Sequence, residues 1–231
     1  MEEESIYADG QYLSLTGGTW HLEDSPLKAQ WITEMLLRHG DFQPRTVCEI
    51  GCGAGGILAE LQKSMPEESE FTGYEISPQA HALSQQFNNL RCRFVLGSAF
   101  DDPQSYDLVL VMDVVEHVED CFSFMRQVRS KGRLKIFHIP LDAHASAILR
   151  GRNAWDDAGH IHIFTKETAI KSLVYSGHRI VDWMLTEAAL HAPGPGRRTR
   201  LGNLLRRPLN KLSPLWTARL LGGYSMLILT E

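Results

Sequence analysis

The chain has 231 residues, of which 43% are hydrophobic and 22% charged, with a net charge of −5. That is enough for one well-packed α/β domain with an appendage, and too little for the two full domains of a dehydrogenase. No apolar stretch approaches the ~20 residues of a membrane-spanning helix, and the acidic start Met-Glu-Glu-Glu-Ser lacks the features of a signal peptide. Cys48, Cys52, Cys92 and Cys121 show no metal-ligand spacing, so a reduced, cytoplasmic setting is expected.

In chain order, residues 1–23 read as an arm without periodicity. Asp24-Ser-Pro-Leu-Lys28 reads as a helix start, a polar cap followed by proline in the first turn, with Leu27, Trp31, Met35 and Leu36 then at helical spacing. Strand one is expected at 46–50, a helix at 55–64 stopping before Pro66, strand two at 70–75, and a helix from Ser77-Pro78 to about Asn88. Strand three is 92–96. Strand four, 107–112, is almost continuously apolar, as a parallel strand covered on both faces should be. A helix over 119–130, strand five at 134–139, a helix over 141–150 and a loop at 151–164 follow. A helix over 165–176 then ends at Gly177, before strand six at 179–186. Ala192-Pro-Gly-Pro-Gly196 is a hard break. Two short basic helices fit 198–221, separated near Pro208 and Pro214, and a last apolar strand fills 222–230. This alternation predicts one doubly wound α/β domain over 1–231, with an N-terminal arm and lid helix (1–40) and a basic helical insertion (188–222) before the final strand.

Val47-Cys-Glu-Ile-Gly-Cys-Gly-Ala-Gly-Gly-Ile57 is a strand running into a glycine turn that opens a helix. Glycines there let backbone approach a ligand with no Cβ in the way. Phe71-Thr-Gly-Tyr-Glu75 ends the next strand on an acid, placed to accept hydrogen bonds from ribose hydroxyls. Gly51, Gly53 and Gly56 also satisfy the dinucleotide fingerprint, which leaves a nicotinamide oxidoreductase as the alternative. Against it, Glu49 puts a negative charge where a pyrophosphate gains nothing and a cofactor bearing an ammonium and a sulfonium does. Tyr106-Asp-Leu-Val-Leu-Val-Met-Asp-Val-Val-Glu-His-Val118 adds a strand ending in an acid-rich turn.

Glu49-x-Gly-x-Gly-x-Gly, Glu75 and Asp113-x-x-Glu-His117, in this order, resemble the class I S-adenosylmethionine (SAM) methyltransferases over roughly residues 20–185. The segments Lys135–Asp142, Gly159–Thr165 and Leu221–Leu229 look like the type 11/23 group of that class. The resemblance implies a Rossmann-like, mostly parallel seven-stranded sheet of order 3-2-1-4-5-7-6 with the last strand antiparallel. It implies SAM as cofactor, held by Glu49, Gly51, Cys52, Gly53, Gly55, Glu75, Ile76, Ser98, Ala99, Phe100, Met112 and Asp113, with Trp20 in a lid segment. Ser98 replaces the acid that often binds the adenine amine, leaving that task to backbone groups or Phe100.

Transfer to a protonated oxygen or nitrogen needs a base, and His117, His138 and His160 are the candidates, since imidazole titrates near pH ~6.5. Each also has a structural reading as a hydrogen-bonding group. Asp113, Glu116 and His117 match a divalent-metal pattern of ubiquinone-pathway O-methyltransferases, but a helix cap and cofactor packing explain the pair equally, and no metal is expected. Trp155, Asp156 and Asp157 are candidates for a pocket wall.

From Ala188 to Thr230 there are seven Lys/Arg and no Asp or Glu. The stretch 197–219 reads as a recogniser of an anionic acceptor, as a membrane-contacting face, or as an amphipathic lid whose leucines pack down; the lid is favoured. Nucleic acid is not expected as a partner, because no aromatic platform interleaves the basic residues. The expected function is methylation of a small-molecule acceptor such as a glycan, a lipid-linked sugar or a secondary metabolite. A non-catalytic SAM-binding module is the further alternative, and the oligomeric state is left open.

Overall fold

A computed structural model describes residues 18–40, 42–149, 151, 159–187 and 206–231. Expectations for 1–17, for Trp155, Asp156 and Asp157, and for 188–205, including the break at Pro193–Gly196, lie outside the described residues.

The apolar runs become seven strands: β1 (Thr46–Ile50), β2 (Glu70–Glu75), β3 (Cys92–Leu96), β4 (Tyr106–Met112), β5 (Gly132–Pro140), β6 (Ile180–Thr186) and β7 (Ser225–Thr230). They form one sheet of order β3-β2-β1-β4-β5-β7-β6. β7 runs antiparallel to both β5 and β6, and the other pairs are parallel. The observed order is the one the motif resemblance implied.

β4 shows why the sheet is covered on both faces. Successive strand side chains point to opposite sides, and Leu108 and Leu110 enter one core while Val109 and Val111 enter the other. The first core is closed by α1 (Ser25–Leu37) through Ile32 and Met35, and by α2 (Gly56–Leu61) through Leu58 and Leu61. The second is closed by α4 (Cys121–Ser130) through Phe124, Met125 and Val128, and by α6 (Lys166–Tyr175) through Ala169 and Leu173. The remaining helices are α3 (Pro78–Ser84), α5 (Ala145–Leu149), α7 (residues 206–212) and α8 (Pro214–Leu221).

Several expectations need correction. Asp24 does not cap α1 with its side chain; it ends a short 3-10 turn, Leu22–Asp24, that leads into the helix. The helix expected over 141–150 shrinks to α5, because Leu141 and Ala143 bond to Tyr224 and Phe164 instead. Pro208 does not separate two helices but lies within α7; the break falls at Ser213, whose extended backbone and side chain cap α8. Nor do the described leucines of the basic stretch all pack down, since Leu212 is 84% exposed.

Candidate functional site

Parallel strands deliver their carboxyl ends to one edge, and the sharpest turn there follows β1. Gly51, Gly53 and Gly55 all have positive φ. At Gly53 (φ +54°) a Cβ would stand 2.8 Å from Cδ1 of Trp20, so only glycine allows this backbone and this indole to meet. Gly56 lets α1 close on the turn, since its missing Cβ would stand 2.3 Å from Ser25 Oγ. The Gly51 and Cys52 N–H groups donate to the Tyr74 carbonyl (2.9 and 3.0 Å), tying the turn to β2. Glu75 completes the tie: its carboxylate accepts from Gly53 N–H and Ser77 N–H, each at 2.8 Å. Burial raises the Glu75 pKa, and these backbone donors work against that rise.

A cleft of about 270 Å³ opens between this turn and the tips of β4 and β5. Trp20, Glu49, Gly51, Cys52, Gly53, Met112, Asp113, His117, His138 and His160 line it, ten of the residues singled out in the sequence. Gly55, Glu75, Ile76, Ser98, Ala99 and Phe100 are not among the lining residues. Gly55 starts α2. Ala99 is buried in the core, and the half-buried Phe100 ring meets Phe124 in a T-shaped contact, 5.6 Å between ring centroids. Ser98 Oγ accepts from Phe100 N–H. Ile76, by contrast, is 69% exposed just beyond β2.

The cleft is acidic. Among its described lining residues Asp24, Glu49, Asp113 and Glu116 face one lysine, Lys28. Glu49 is wholly buried with Oε2 unpaired. Burial pushes its pKa up to about 8, against the pull of Lys28. Lys28 Nζ bonds Asp113 Oδ2 at 2.8 Å, and Asp113 Oδ1 accepts from His138 Nδ1 at 2.6 Å. Burial would raise the Asp113 pKa, but His138 and Lys28 together hold it well below the usual carboxylate range. Asp113 adopts φ +56°, a left-handed conformation uncommon outside glycine, which aims its carboxylate between these two partners.

The three histidines separate by environment. His138 is buried, stacked on Trp31 (5.8 Å), with Nε2 against Thr186 Oγ1 (2.8 Å) and Nδ1 on Asp113. Both of its nitrogens are thus engaged by groups of the sheet. His117 and His160 instead meet edge to face across the cleft wall, 4.8 Å between ring centroids. His117 Nδ1–H donates to the Gly159 carbonyl (3.0 Å) and His160 Nδ1–H to Asp142 Oδ2 (2.7 Å). In a neutral ring this places each lone pair on Nε2. The loop holding His160 is pinned because Ile161 N–H and His162 N–H both donate to the Glu116 carbonyl.

Glu116 is fully buried, and neither carboxylate oxygen has a hydrogen-bond partner. Burial, reinforced by Asp113, lifts its pKa well above the usual range. Its carboxylate and one ring nitrogen each from His117 and His160 lie within 4.8 Å of one another, a spacing that could hold a metal ion. Asp113, the third member of the metal pattern in the sequence, turns instead to Lys28 and His138. Sequence reasoning placed Lys28 in the lid segment over the cleft without a role of its own, and gave none to Asp142 or Thr186. Lys28 was detectable as the charge needed to balance the acids at 49 and 113; Asp142 and Thr186 carry no local signal.

The sheet order, the glycine turn after β1 and the polar cluster at the tips of β4 and β5 define the architecture of class I methyltransferases. Residues 21–175 match the methyltransferase-domain family, and the chain belongs to it. It is similar to the mitochondrial ubiquinone biosynthesis O-methyltransferase of Schizosaccharomyces pombe, at 32% identity over 126 residues, covering 49% of this chain and 44% of that one. It is also similar to the ubiquinone biosynthesis O-methyltransferase of Serratia proteamaculans, at 36% over 110 residues, covering 44% and 43%. The matched stretch thus spans less than half the length of either relative. In fold it resembles the magnesium protoporphyrin IX methyltransferase of Synechocystis PCC 6803 crystallised with SAH, with a TM-score of 0.60 at 15% identity over 89% of this chain and 83% of that one.

Proposed function

We propose that the chain is a SAM-dependent methyltransferase that moves a methyl group to an oxygen of a small-molecule acceptor. The observation that carries this reading is one continuous cleft, rich in carboxyl groups, lined together by the glycine turn, Lys28, His117 and His160. The residues fit the donor. Glu49 is a buried acid with an unpaired oxygen, suited to an ammonium or sulfonium, and Lys28 is suited to a carboxylate. Ile76 offers an exposed apolar face beside the β2 tip for an adenine ring. SAM supplies an electrophilic methyl group; the chain's own residues orient, exclude water and move a proton. Lys28, the one lysine or arginine among the described lining residues, is already bonded to Asp113, so little is left to hold the pyrophosphate of a nicotinamide dinucleotide. Relatives whose names specify O-methylation make oxygen the first choice over nitrogen.

His160 is the base in this reading. Asp142 holds its Nδ1–H and so keeps the accepting nitrogen toward the cleft. His138 positions Asp113, which in turn holds Lys28. A second reading rests on Glu116: a divalent cation held by Glu116, His117 and His160 would polarise the acceptor oxygen and lower its pKa. Calorimetry with magnesium, manganese and zinc salts on wild type and Glu116→Gln separates the two; no heat with any metal removes the second.

Four buried free cysteines support a cytoplasmic setting, and no helix among the described residues is long and apolar enough to cross a membrane. Incubation with methyl-tritiated SAM and a cell extract tests the whole. Label is expected in low-molecular-mass material. Label confined to protein or nucleic acid overturns the acceptor class, and SAM binding without any transfer favours a non-catalytic module.

A further inference from the structure

At the carboxyl edge of the sheet, beside the acceptor end of the cleft, three helices leave large apolar side chains uncovered. α5 exposes Ile148 and Leu149, α8 exposes Trp216 and Leu220, and α7 ends on the exposed Leu212. Trp216 and Leu220 are four apart and share one face of α8. α5 and α8 are in contact, and His144, just before α5, sits where a Cβ on Gly222, just after α8, would have to stand. Basic groups accompany the apolar ones. Arg207 and Lys211 are exposed on α7, and the Arg219 guanidinium, ion-paired with Glu167 of α6, lies 5.3 Å from the centroid of the Trp216 ring. All 28 Asp and Glu residues lie outside the segment 188–230.

The combination selects among occupants. A nucleic acid or an acidic protein would use the cations but leave Ile148, Leu149 and Leu212 wet. A second copy would set the exposed Arg207 and Lys211 of the two chains against each other. An anionic lipid surface takes both halves: aliphatic chains below the headgroups, an indole at the boundary, and Arg and Lys on the phosphates. We propose that α5, α7 and α8 dock the chain, as a peripheral protein, on an anionic lipid surface. The cleft-lining residues Pro140 and Ser225 are joined to α5 and α8 by short connections, so docking sets the cleft mouth near the lipid–water boundary. The docking stands apart from the methyl-transfer reading; only the cleft's position at the boundary gains its meaning from it.

Flotation tests this with phosphatidylcholine vesicles, either pure or carrying about 30 mol% phosphatidylglycerol. The full chain is expected to float with the anionic vesicles, with about tenfold weaker binding to the neutral ones and weaker binding as salt is raised. Leu212→Glu/Trp216→Glu and Arg207→Glu/Lys211→Glu should each lower anionic-vesicle binding about tenfold or more, with melting temperature and SAM affinity unchanged. Wild type that stays unbound to both vesicles, or double variants that float as well as wild type, overturn the proposal. So does a dimer in lipid-free buffer that the apolar double variant converts to monomer while vesicles bind neither protein, which would make the patch a self-association face. Oligonucleotide binding without vesicle binding overturns it in favour of nucleic acid. Lost SAM binding with retained flotation would instead count against the cofactor reading alone.

Discussion

Gly53 and Glu49 each occupy a setting in the cleft that a different side chain cannot share. Gly53→Val forces a β-branched residue into φ +54° and its Cβ into the Trp20 indole. Calorimetry is expected to show no SAM binding, with far-UV circular dichroism unchanged; an unaltered isotherm would remove the cofactor assignment. Glu49 makes a pH prediction. Its folded pKa of about 8 lies above its unfolded value, so the unfolded chain loses this proton first. The folded state is therefore favoured at low pH, and that advantage fades as pH rises from about 4.5 through 8. Glu49→Gln removes the effect, which is bounded at roughly 5 kcal/mol by the size of the shift. The variant should melt several degrees above wild type at pH 8 and nearly with it at pH 4.5, read by calorimetric scans in the absence of ligand. A constant gap across that range would mean that Glu49 is not a buried, unpaired acid.

Among the elements, the β5–α5 connection and the loop before α6 decide how the acceptor end is built. Asp142 sits in the first and His160 in the second, and their hydrogen bond joins them. Asp142→Asn is expected to lower kcat by about 10- to 100-fold while leaving SAM affinity within twofold, because the ring loses its tautomer and orientation rather than its place. Full turnover in this variant would return His160 to a structural role. α6 itself starts at a reciprocal cap, with Thr165 Oγ1 accepting from Thr168 N–H and Thr168 Oγ1 accepting from Thr165 N–H. Thr165→Ala should cost about 1 kcal/mol, seen as a melting temperature lower by roughly 2–4 °C. Helix boundaries were the least legible part of the sequence, because tertiary partners drew them. Leu141 and Ala143 are helix-compatible residues whose N–H groups were taken by Tyr224 and Phe164.

For the whole molecule, the two cores and the open cleft at the carboxyl edge of the sheet make ligand binding a stability measurement. A donor that binds only the folded chain should add about 2.7 kcal/mol at a hundred times its dissociation constant. That is a rise of roughly 5–10 °C for a chain of this size. SAM is expected to give that rise in thermal scans and NAD(H) none; the reverse result would restore the oxidoreductase reading. The imbalance of charge belongs to this scale too. An acidic body with a basic, apolar-faced segment beside its cleft presents itself in one orientation to an anionic surface.

Local chemistry marked the strands and their functional ends, and the resemblance of those motifs to a known class implied the strand order. A glycine turn after a short apolar run, an acid closing the next, and an apolar run ending in Asp113-Val-Val-Glu-His117 meet at the carboxyl edge of the parallel part of the sheet, where such folds place their ligands. Helical spacing likewise marked the buried face of α1, and an almost continuous apolar run marked β4 as covered on both faces. What the sequence left undivided was the division of labour among residues of the same type. Three histidines looked equivalent in the chain, and only packing distinguished them, by stacking His138 on Trp31 and sending its two nitrogens to Asp113 and Thr186. Asp142, Lys28 and Thr186 lie 18, 85 and 48 residues from the partners they serve, His160, Asp113 and His138. A hydrogen bond over such a separation depends on where the fold carries each group, and no spacing along the chain encodes it.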